Sequence, residues 1–254
     1  MSSSTWTPDA LRSSATALDG RCWRVVEAQH QVSTMKITDT LAEQTLLEDL
    51  LEESKPPVPR DCVHLHFLLM TPFRYSATNP FGSRFRKPFA EHGVFYAAEH
   101  PATAMAETAF HRTLFYAESP ATPWPANPGE YSAFACAFRT AQASDLTREP
   151  FAGDAGLTAL SDYTATQAFA DAVRAAGYEA IRYASLRDPL HSPNIALLTP
   201  VAFTASEPVA RQSWKLHLGA YGARAICDAP RLSIEYARAT FADDPRLKGM
   251  TWER

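Results

Sequence analysis

The sequence predicts an α+β protein that has a mixed, mostly antiparallel sheet with flanking helices. The first reason is composition: 46% of the 254 residues are hydrophobic and 20% are charged, so the chain can bury a large core. The second reason is that three segments repeat apolar residues at helical intervals. The third is a series of short apolar or alternating segments that have the pattern of strands and are separated by turn residues.

The first helix is predicted to begin at a capping box. Thr40 and Glu43 have the required spacing, and the prolines within 56–59 end the helix because they cannot continue it. Leucines follow the cap at helical intervals: Leu41, Leu46, Leu47, Leu50 and Leu51. We expect this leucine-rich face either to complete the core or to border a partner.

The proline run is the best internal boundary of the chain. Residues 1–60 are predicted to form an N-terminal arm and helical cap. Residues 61–254 are predicted to form the main domain, whose functional signature lies between about 70 and 200.

Two more helices are predicted further along the chain. One begins at His100 and Pro101, because proline is favoured at the first helical position. The other begins at Ser161 or Asp162 and ends at Gly177. Their buried faces are expected to hold Met105, Ala109, Leu114, Phe115, Phe169 and Val173.

Seven short strands are predicted, and residues 76–91, which contain glycine and proline, are predicted to form a loop. The strands are expected at 22–26, 63–70, 93–97, 131–138, 179–183, 194–198 and 213–218. The chain beyond 218 gives no clear pattern.

Charge and cysteine content exclude several classes of protein. The formal net charge of −4 gives no broad attraction to nucleic acid or to an anionic membrane. The four cysteines stand far apart, without the Cys-x-x-Cys pair of zinc or redox sites. No apolar run approaches the length of a membrane span, and the N-terminus lacks the pattern of a secretory signal. We therefore expect a cytoplasmic protein that has no membrane contact.

The residues best suited to chemistry begin with two arginines, Arg74 and Arg84, around a glycine-containing loop. The planar guanidinium donates paired hydrogen bonds and suits a pyrophosphate. Tyr96, at a strand end, can stack on a flat heterocycle. Glu107 lies early in an apolar helix, where a carboxylate near the core needs a partner. The alternative is a surface carboxylate that pairs with a basic residue four or five positions later, at 111 or 112.

A second polar cluster follows a predicted strand. Ser185 and Arg187 lie where the chain leaves one strand and enters the next, which is a favoured place for binding groups. The alternative is that Ser185 only opens the turn. His64 and His66 would share a strand face, but without a nearby carboxylate or cysteine trio they are interpreted as ordinary strand residues, and no metal site is predicted.

These segments, taken in order, resemble the signature of the RES-domain family, which is named for arginine, glutamate and serine. The resemblance rests on Arg74, 82–86, 94–97, 103–107 and 183–187, with 23–25 as an earlier element. It implies a fold like that of ADP-ribosyltransferases. It also implies a toxin that consumes NAD⁺ and is blocked by a helix-turn-helix antitoxin.

The resemblance further implies a role for each residue. Arg74 and Arg84 would hold the pyrophosphate, Tyr96 would stack on the nicotinamide or ribose, and Ser185 would bind a ribose hydroxyl. Glu107 would stabilise the positive charge that develops on the ribose as the nicotinamide bond breaks.

The sequence departs from the family pattern in the arginine loop. Many members have Gly-Arg-Trp-Asn, whereas residues 83–86 read Ser-Arg-Phe-Arg. This leaves open whether Arg84 or Arg86 is the functional arginine, and both are retained, with Arg187, as candidate substrate-binding residues.

NAD⁺ is expected as the substrate, with no separate cofactor and with water, phosphate or a protein as the acceptor. Two alternatives belong to other classes: a non-catalytic module that binds a nucleotide or a partner, and a toxin that acts on nucleic acid through residues 84–87. The negative net charge disfavours the second alternative.

Overall fold

The computed structural model describes residue 6 and residues 11–28 and 37–254. Its strands are β1 (Thr16–Glu27), β2 (Phe95–Ala98), β3 (Gly129–Asp145), β4 (Ala180–Ala184), β5 (Pro193–Leu197), β6 (Ala210–Gly219), β7 (Gly222–Cys227) and β8 (Leu232–Ala237). Its helices are α1 (Leu41–Glu53), α2 (Phe67–Arg74), α3 (Pro101–Glu118) and α4 (Thr164–Ala175). Short 3-10 helices span Arg60–Cys62, Pro200–Ala202, Arg238–Phe241 and Pro245–Leu247.

The described strands form one eight-stranded sheet in the order β1-β2-β5-β4-β3-β6-β7-β8. The pair β3–β4 is parallel, and the other strand pairs are antiparallel. The predicted α+β class with a mixed, mostly antiparallel sheet is therefore confirmed. Because β1 also pairs with β3, strands β1, β2, β5, β4 and β3 close into a ring.

Three groups of apolar side chains fill the space between the sheet and the helices. Phe110 of α3 packs with Trp214 of β6 in the first group. Leu69 of α2 packs with residues of β2 and β3 in the second, and Phe169 of α4 packs with Ile181 of β4 in the third. Helix α3 therefore has its buried side against strands, which positions its remaining face beside the ring.

Several predicted elements are confirmed at their ends. The capping box of α1 is formed, since Thr40 Oγ1 accepts from the Glu43 amide at 3.2 Å and the Glu43 side chain accepts in return. Helix α3 has Pro101 in its first turn. Helix α4 begins later than predicted, with Tyr163 and not Ser161 or Asp162 as its N-cap, although Asp162 Oδ1 accepts from the Thr164 amide at 2.9 Å. Residues 76–91 contain no long helix or strand, as predicted.

The predicted strand at 63–70 is wrong, because these residues form a turn and the start of α2. His66 Nδ1 accepts from the Leu68 amide at 3.2 Å and so caps this helix. Leu65, Leu69 and Phe73 are buried at intervals of four residues, which is a helical period. His64 and His66 therefore share no strand face.

The expectation that the leucines of α1 complete the core is also wrong. No residue of α1 is buried, and Leu46 and Leu50 are exposed. The helix is attached instead by its acidic side, through a salt bridge of 2.7 Å between Glu52 Oε1 and Arg74 Nη1. Phe115 of α3, expected in the core, is exposed as well.

The two ends of the described chain add strands to the same sheet. Strand β1 pairs with β3 from Thr16 to Glu27, so this part of residues 1–60 belongs to the sheet. Strands β7 and β8 extend the sheet beyond β6, in a segment for which no strand was predicted. Among the described residues, no helix has the length and apolar character needed to cross a membrane.

Two leucines test which helix belongs to the core. We expect Leu69→Ala to lower the free energy of unfolding by about 2–5 kcal/mol, because it empties a buried site. The matched variant Leu46→Ala, at a residue that is 60% exposed, should change it by less than about 0.5 kcal/mol. Urea unfolding measures both, and equal losses would contradict the placement of α1 outside the core.

Candidate active site

A pocket of about 450 Å³ opens beside the strand ring, and its size is ordinary for a small-molecule site. Residues from β1, the loop before β2, α3, β4, β5 and the C-terminal segment contribute to it. The polar and aromatic residues that line it include Arg24, Arg84, Tyr96, Glu107, His111, Tyr163, Tyr183, Arg187, Asn194 and Arg246. The structure thus brings together residues that are distant in sequence.

Glu107 of α3 is held by two hydrogen bonds to the same oxygen. Ser185 Oγ donates to Glu107 Oε1 at 2.7 Å, and Asn194 Nδ2 donates to it at 2.7 Å. In the part of the chain that the structure describes, Oε2 has no hydrogen-bond partner. The carboxylate is therefore fixed through one oxygen and has the other free for a bound group.

Ser185 is fully buried and contacts Glu107 from outside the pocket lining. Its Oγ accepts from the backbone amides of Arg187 at 3.2 Å and Asp188 at 3.0 Å. With its acceptor capacity used by these amides, the hydroxyl proton is directed to Glu107. The structure thus places Ser185 on the carboxylate, and not among the residues that line the pocket.

Tyr96 of β2 holds the loop that carries Arg84. Its hydroxyl accepts from the Phe85 amide at 2.8 Å and is bonded to Ser83 Oγ at 2.9 Å. Burial raises the pKa of Tyr96, so the phenol is neutral and can both accept and donate. The ring of Tyr96 lines the pocket, while its hydroxyl fixes the loop.

Arg84 extends from this loop into the pocket. Its Nη1 and Nη2 donate to the carbonyl oxygens of Leu157 at 3.3 Å and Ala159 at 2.9 Å. Its Cζ lies 5.0 Å from the centre of the Tyr163 ring. These partners position the guanidinium without neutralising its charge.

Residues 58–219 match the model of the RES domain. The chain belongs to the RES-domain family. Arg84, Tyr96, Glu107 and Ser185 all lie within the matched RES region.

One similar solved structure is a chain of the M. tuberculosis MbcT-MbcA toxin-antitoxin complex. It has 12% sequence identity and a TM-score of 0.48, over 83% of this chain and 91% of that chain. No curated protein matches the sequence.

Of the two arginines in the loop at residues 83–86, the structure brings only Arg84 to the pocket. Arg86 donates instead to the carbonyl oxygens of Phe81 and, at 3.4 Å, Ser76. The neighbouring Lys87 forms a salt bridge of 2.5 Å with Asp171. Arg86 and Lys87 are therefore engaged by other parts of the protein and do not line the pocket.

Arg74 does not join the other candidate residues. It lies at the end of α2, where Nε donates to the Pro56 carbonyl at 2.6 Å and Nη1 pairs with Glu52. Arg74 is buried and does not line the pocket of the RES domain. Its contacts fix the segment between α1 and α2, and the role that the resemblance implied for it has no support in this geometry.

Arg24 of β1 lines the pocket together with Arg84, whereas the resemblance had implied Arg74 as the second arginine. Its Nη1 donates to the Tyr96 carbonyl at 2.8 Å, and its Cζ lies 5.3 Å from the centre of the Phe95 ring. Burial lowers the pKa of Arg24. The single arginine within the apolar run 22–26 was the signal that sequence reasoning passed over, although 23–25 was included in the resemblance.

His111 lies one helical turn after Glu107 and lines the same pocket. Removal from water lowers the pKa of His111, whereas the nearby Glu107 carboxylate opposes this shift. Arg112 lines the pocket as well, but it forms a salt bridge of 3.0 Å with Glu27. The alternative pairing of Glu107 with a basic residue one turn later is therefore not formed among the described residues, since Glu107 is hydrogen-bonded to Ser185 and Asn194 instead.

Tyr183 and Asn194 were also missed by the sequence reasoning as site residues. Tyr183 lies near the end of β4 beside the pocket, and burial, followed by the Glu107 charge, raises its pKa well above its ordinary value. Asn194 lies near the start of the paired strand β5, at the register position opposite Tyr183. Neither residue stands out in sequence, because only the strand pairing brings both to Glu107.

Arg187 is buried at the pocket wall. Its Nη2 donates to the Leu160 carbonyl at 2.6 Å and forms a salt bridge of 2.7 Å with Asp244. Its Cζ lies 3.9 Å from the centre of the Phe110 ring. Burial lowers the pKa of Arg187, while Asp244 opposes this effect.

The described residues contain no group of three or more His, Cys, Asp or Glu side chains that could hold a metal ion. All four cysteines are free and buried.

The role of Tyr96 as a brace for the loop can be tested by Tyr96→Phe. This change removes the acceptor of the Phe85 amide, which is buried, and should lower the free energy of unfolding by about 1–3 kcal/mol. Hydrogen exchange at that amide should become faster. The matched control is Tyr75→Phe, outside the pocket, and unchanged exchange in Tyr96→Phe would argue against the brace.

Proposed function

We propose that this RES-domain protein cleaves NAD⁺ at the bond between nicotinamide and ribose. The observation that carries the proposal is the Glu107 carboxylate, fixed by Ser185 and Asn194 in a pocket lined by arginines and tyrosines. Each part of this arrangement corresponds to one part of the substrate or of the reaction.

Glu107 stabilises the charge that develops during the reaction. As the nicotinamide leaves with the bonding electron pair, it becomes neutral and the ribose acquires oxocarbenium character. A carboxylate that is already oriented stabilises this positive charge without the cost of reorganisation. The acceptor then attacks the ribose carbon, and water, phosphate and a protein side chain all remain candidates. No cofactor takes part in the proposed reaction, because the positive charge of NAD⁺ already makes nicotinamide a good leaving group.

The arginines suit the pyrophosphate of NAD⁺. Among the described residues, Arg24 and Arg84 line the pocket without a salt bridge to any carboxylate. Their charges are therefore available to an anionic group, and each guanidinium retains donors for phosphate oxygens. The rings of Tyr96, Tyr163 and Tyr183 add flat surfaces for the nicotinamide or the adenine.

The family resemblance supports two further parts of the proposal. The protein acts as a toxin in the cytoplasm, where NAD⁺ is present, and a helix-turn-helix antitoxin blocks the pocket. The protein contacts neither membrane nor nucleic acid directly, in keeping with its net charge of −4.

The central test is Glu107→Gln, assayed by nicotinamide release from NAD⁺ with and without phosphate. The wild type should release nicotinamide, and the variant should lose about 10²- to 10³-fold in kcat, because it lacks the charge that stabilises the ribose. Dependence of the rate on phosphate would identify phosphate as the acceptor. The matched control is Glu118→Gln at the exposed end of the same helix, which should retain full activity.

Equal activity of wild type and Glu107→Gln would contradict the proposed role of this carboxylate. If the wild type binds NAD⁺ without releasing nicotinamide, the proposal fails, and a non-catalytic binding module or a transferase that requires a protein acceptor is favoured instead.

Ser185 is proposed as a positioning residue for Glu107. Ser185→Ala removes one of the two hydrogen bonds to Oε1, together with the acceptor of the Arg187 and Asp188 amides, and replaces no residue that lines the pocket. We expect kcat to fall by about tenfold with little change in KM, in line with the loss of one charge-assisted hydrogen bond. An increase in KM at constant kcat would instead assign Ser185 to substrate binding. Ser119→Ala, at the exposed end of α3, is the control.

A further inference from the structure

The C-terminal segment, beyond the matched RES region, returns to the pocket. The match ends at residue 219, after which β7, β8 and two short 3-10 helices follow. The last of these helices, Pro245–Leu247, brings Arg246 to the pocket wall. Arg246 is therefore supplied by a part of the chain that lies beyond the C-terminal end of the matched region.

Arg246 is held in place by Asp244, whose carboxylate is fully buried. Arg246 Nε donates to Asp244 Oδ1 at 2.9 Å, and Nη2 donates to Oδ2 at 2.8 Å. Nη2 also donates to the Leu160 carbonyl at 3.2 Å. This paired geometry fixes the plane of the guanidinium, and the hydrogen bonds to Asp244 raise its pKa, so Arg246 stays charged.

The wall at Arg246 keeps an excess of positive charge. Asp244 is shared by two arginines, because Arg187 Nη2 also contacts its Oδ2 at 2.7 Å. One carboxylate thus faces two guanidinium groups, and the other partner of both, the Leu160 carbonyl, carries no formal charge. One positive charge therefore remains for a bound anion, in a pocket whose partial enclosure strengthens the attraction.

Arg246 also lies near Arg84, which is proposed to bind the pyrophosphate. The Tyr163 ring contacts both arginines, with its centre 5.0 Å from Arg84 Cζ and 6.0 Å from Arg246 Cζ. Backbone carbonyls within 157–160 hold both side chains. The two guanidinium groups therefore flank one aromatic ring, at a spacing that a single phosphorylated ligand can span.

We propose that Arg246 is a phosphate-binding residue of the pocket, supplied by the C-terminal segment and positioned by Asp244. The phosphate belongs either to the dinucleotide itself or to free inorganic phosphate that enters as the acceptor. This inference rests on the proposed NAD⁺ cleavage for its substrate, but the binding of a phosphate group can be measured without any reaction.

The test compares the full-length wild type with Arg246→Gln in two measurements. Calorimetry with ADP-ribose, which carries the pyrophosphate but no nicotinamide, reports binding to the phosphates of the dinucleotide. Nicotinamide release at increasing inorganic phosphate reports binding of the free anion. The matched control is Arg238→Gln in the same segment, because Arg238 is exposed and pairs with Glu253 outside the pocket.

Weaker binding of ADP-ribose by about tenfold or more in Arg246→Gln alone would support the proposal and assign the phosphate to the dinucleotide. Unchanged ADP-ribose binding, with a similar rise in the half-saturating concentration of phosphate, would support it and assign the anion to the acceptor. If both quantities match those of the wild type and of Arg238→Gln, the proposal is overturned.

Arg246→Lys provides a second variant, which keeps the charge and loses the paired bonds to Asp244. If thermal unfolding shows that Arg246→Gln is not folded, Arg246→Lys is judged by the same two measurements. Wild-type protein that binds ADP-ribose but releases no nicotinamide would refute NAD⁺ cleavage while leaving the Arg246 test intact. Wild-type protein that binds no ADP-ribose and releases nicotinamide without any dependence on phosphate would overturn the Arg246 proposal.

Discussion

A carboxylate that is partly removed from water needs hydrogen-bond donors. In this protein the donors to Glu107 come from two other elements of the fold, so these hydrogen bonds link three elements. Glu107 comes from α3, Ser185 from the turn after β4, and Asn194 from β5. The antiparallel pairing of β4 and β5 brings the two donors to the same place, and the packing of α3 on the sheet brings the acceptor to them. The catalytic proposal therefore depends on the register of one strand pair. A shift of one residue would turn Asn194 to the opposite face of the sheet.

The arginines around this carboxylate are held in a different way. Arg84, Arg187 and Arg246 all donate to carbonyl oxygens between residues 157 and 160. A carbonyl fixes the direction of a guanidinium but leaves its formal charge in place. The loop before α4 thus acts as a frame that orients positive charge towards the pocket, in a protein whose overall charge is negative.

The sequence predicted helix ends most reliably, because capping residues and proline act on the backbone of their immediate neighbours. The capping box at Thr40 and the proline at the start of α3 were predicted correctly, since both depend only on neighbouring residues. The segment 63–70 was misassigned because a short apolar run fits a buried strand as well as a helix. The leucines of α1 formed a convincing apolar face, but whether a helical face is covered depends on the tertiary structure.

The residues of the candidate site were also predicted only in part. Arg84, Tyr96, Glu107 and Arg187 were named from sequence and line one pocket, and the buried Ser185 supports it from behind. Arg74 and Arg86 were named with them, but their partners Glu52 and the carbonyls of the loop keep them away from it. The sequence analysis gave no role to Arg24, Asn194 and Arg246. These residues are far apart in sequence, and only strand pairing and the tertiary fold bring them to the pocket.

Strand β1 belongs to the sheet although it lies outside the matched RES region. The matched RES region begins at residue 58, yet β1 lies between β2 and β3 and carries Arg24. A chain that started at residue 58 would leave the β3 edge from Tyr131 to Ala143 without its partner strand. Unpaired backbone of this length is a template for association with other chains. The segment recognised as the family domain is therefore shorter than the complete sheet and lacks the strand that covers this edge.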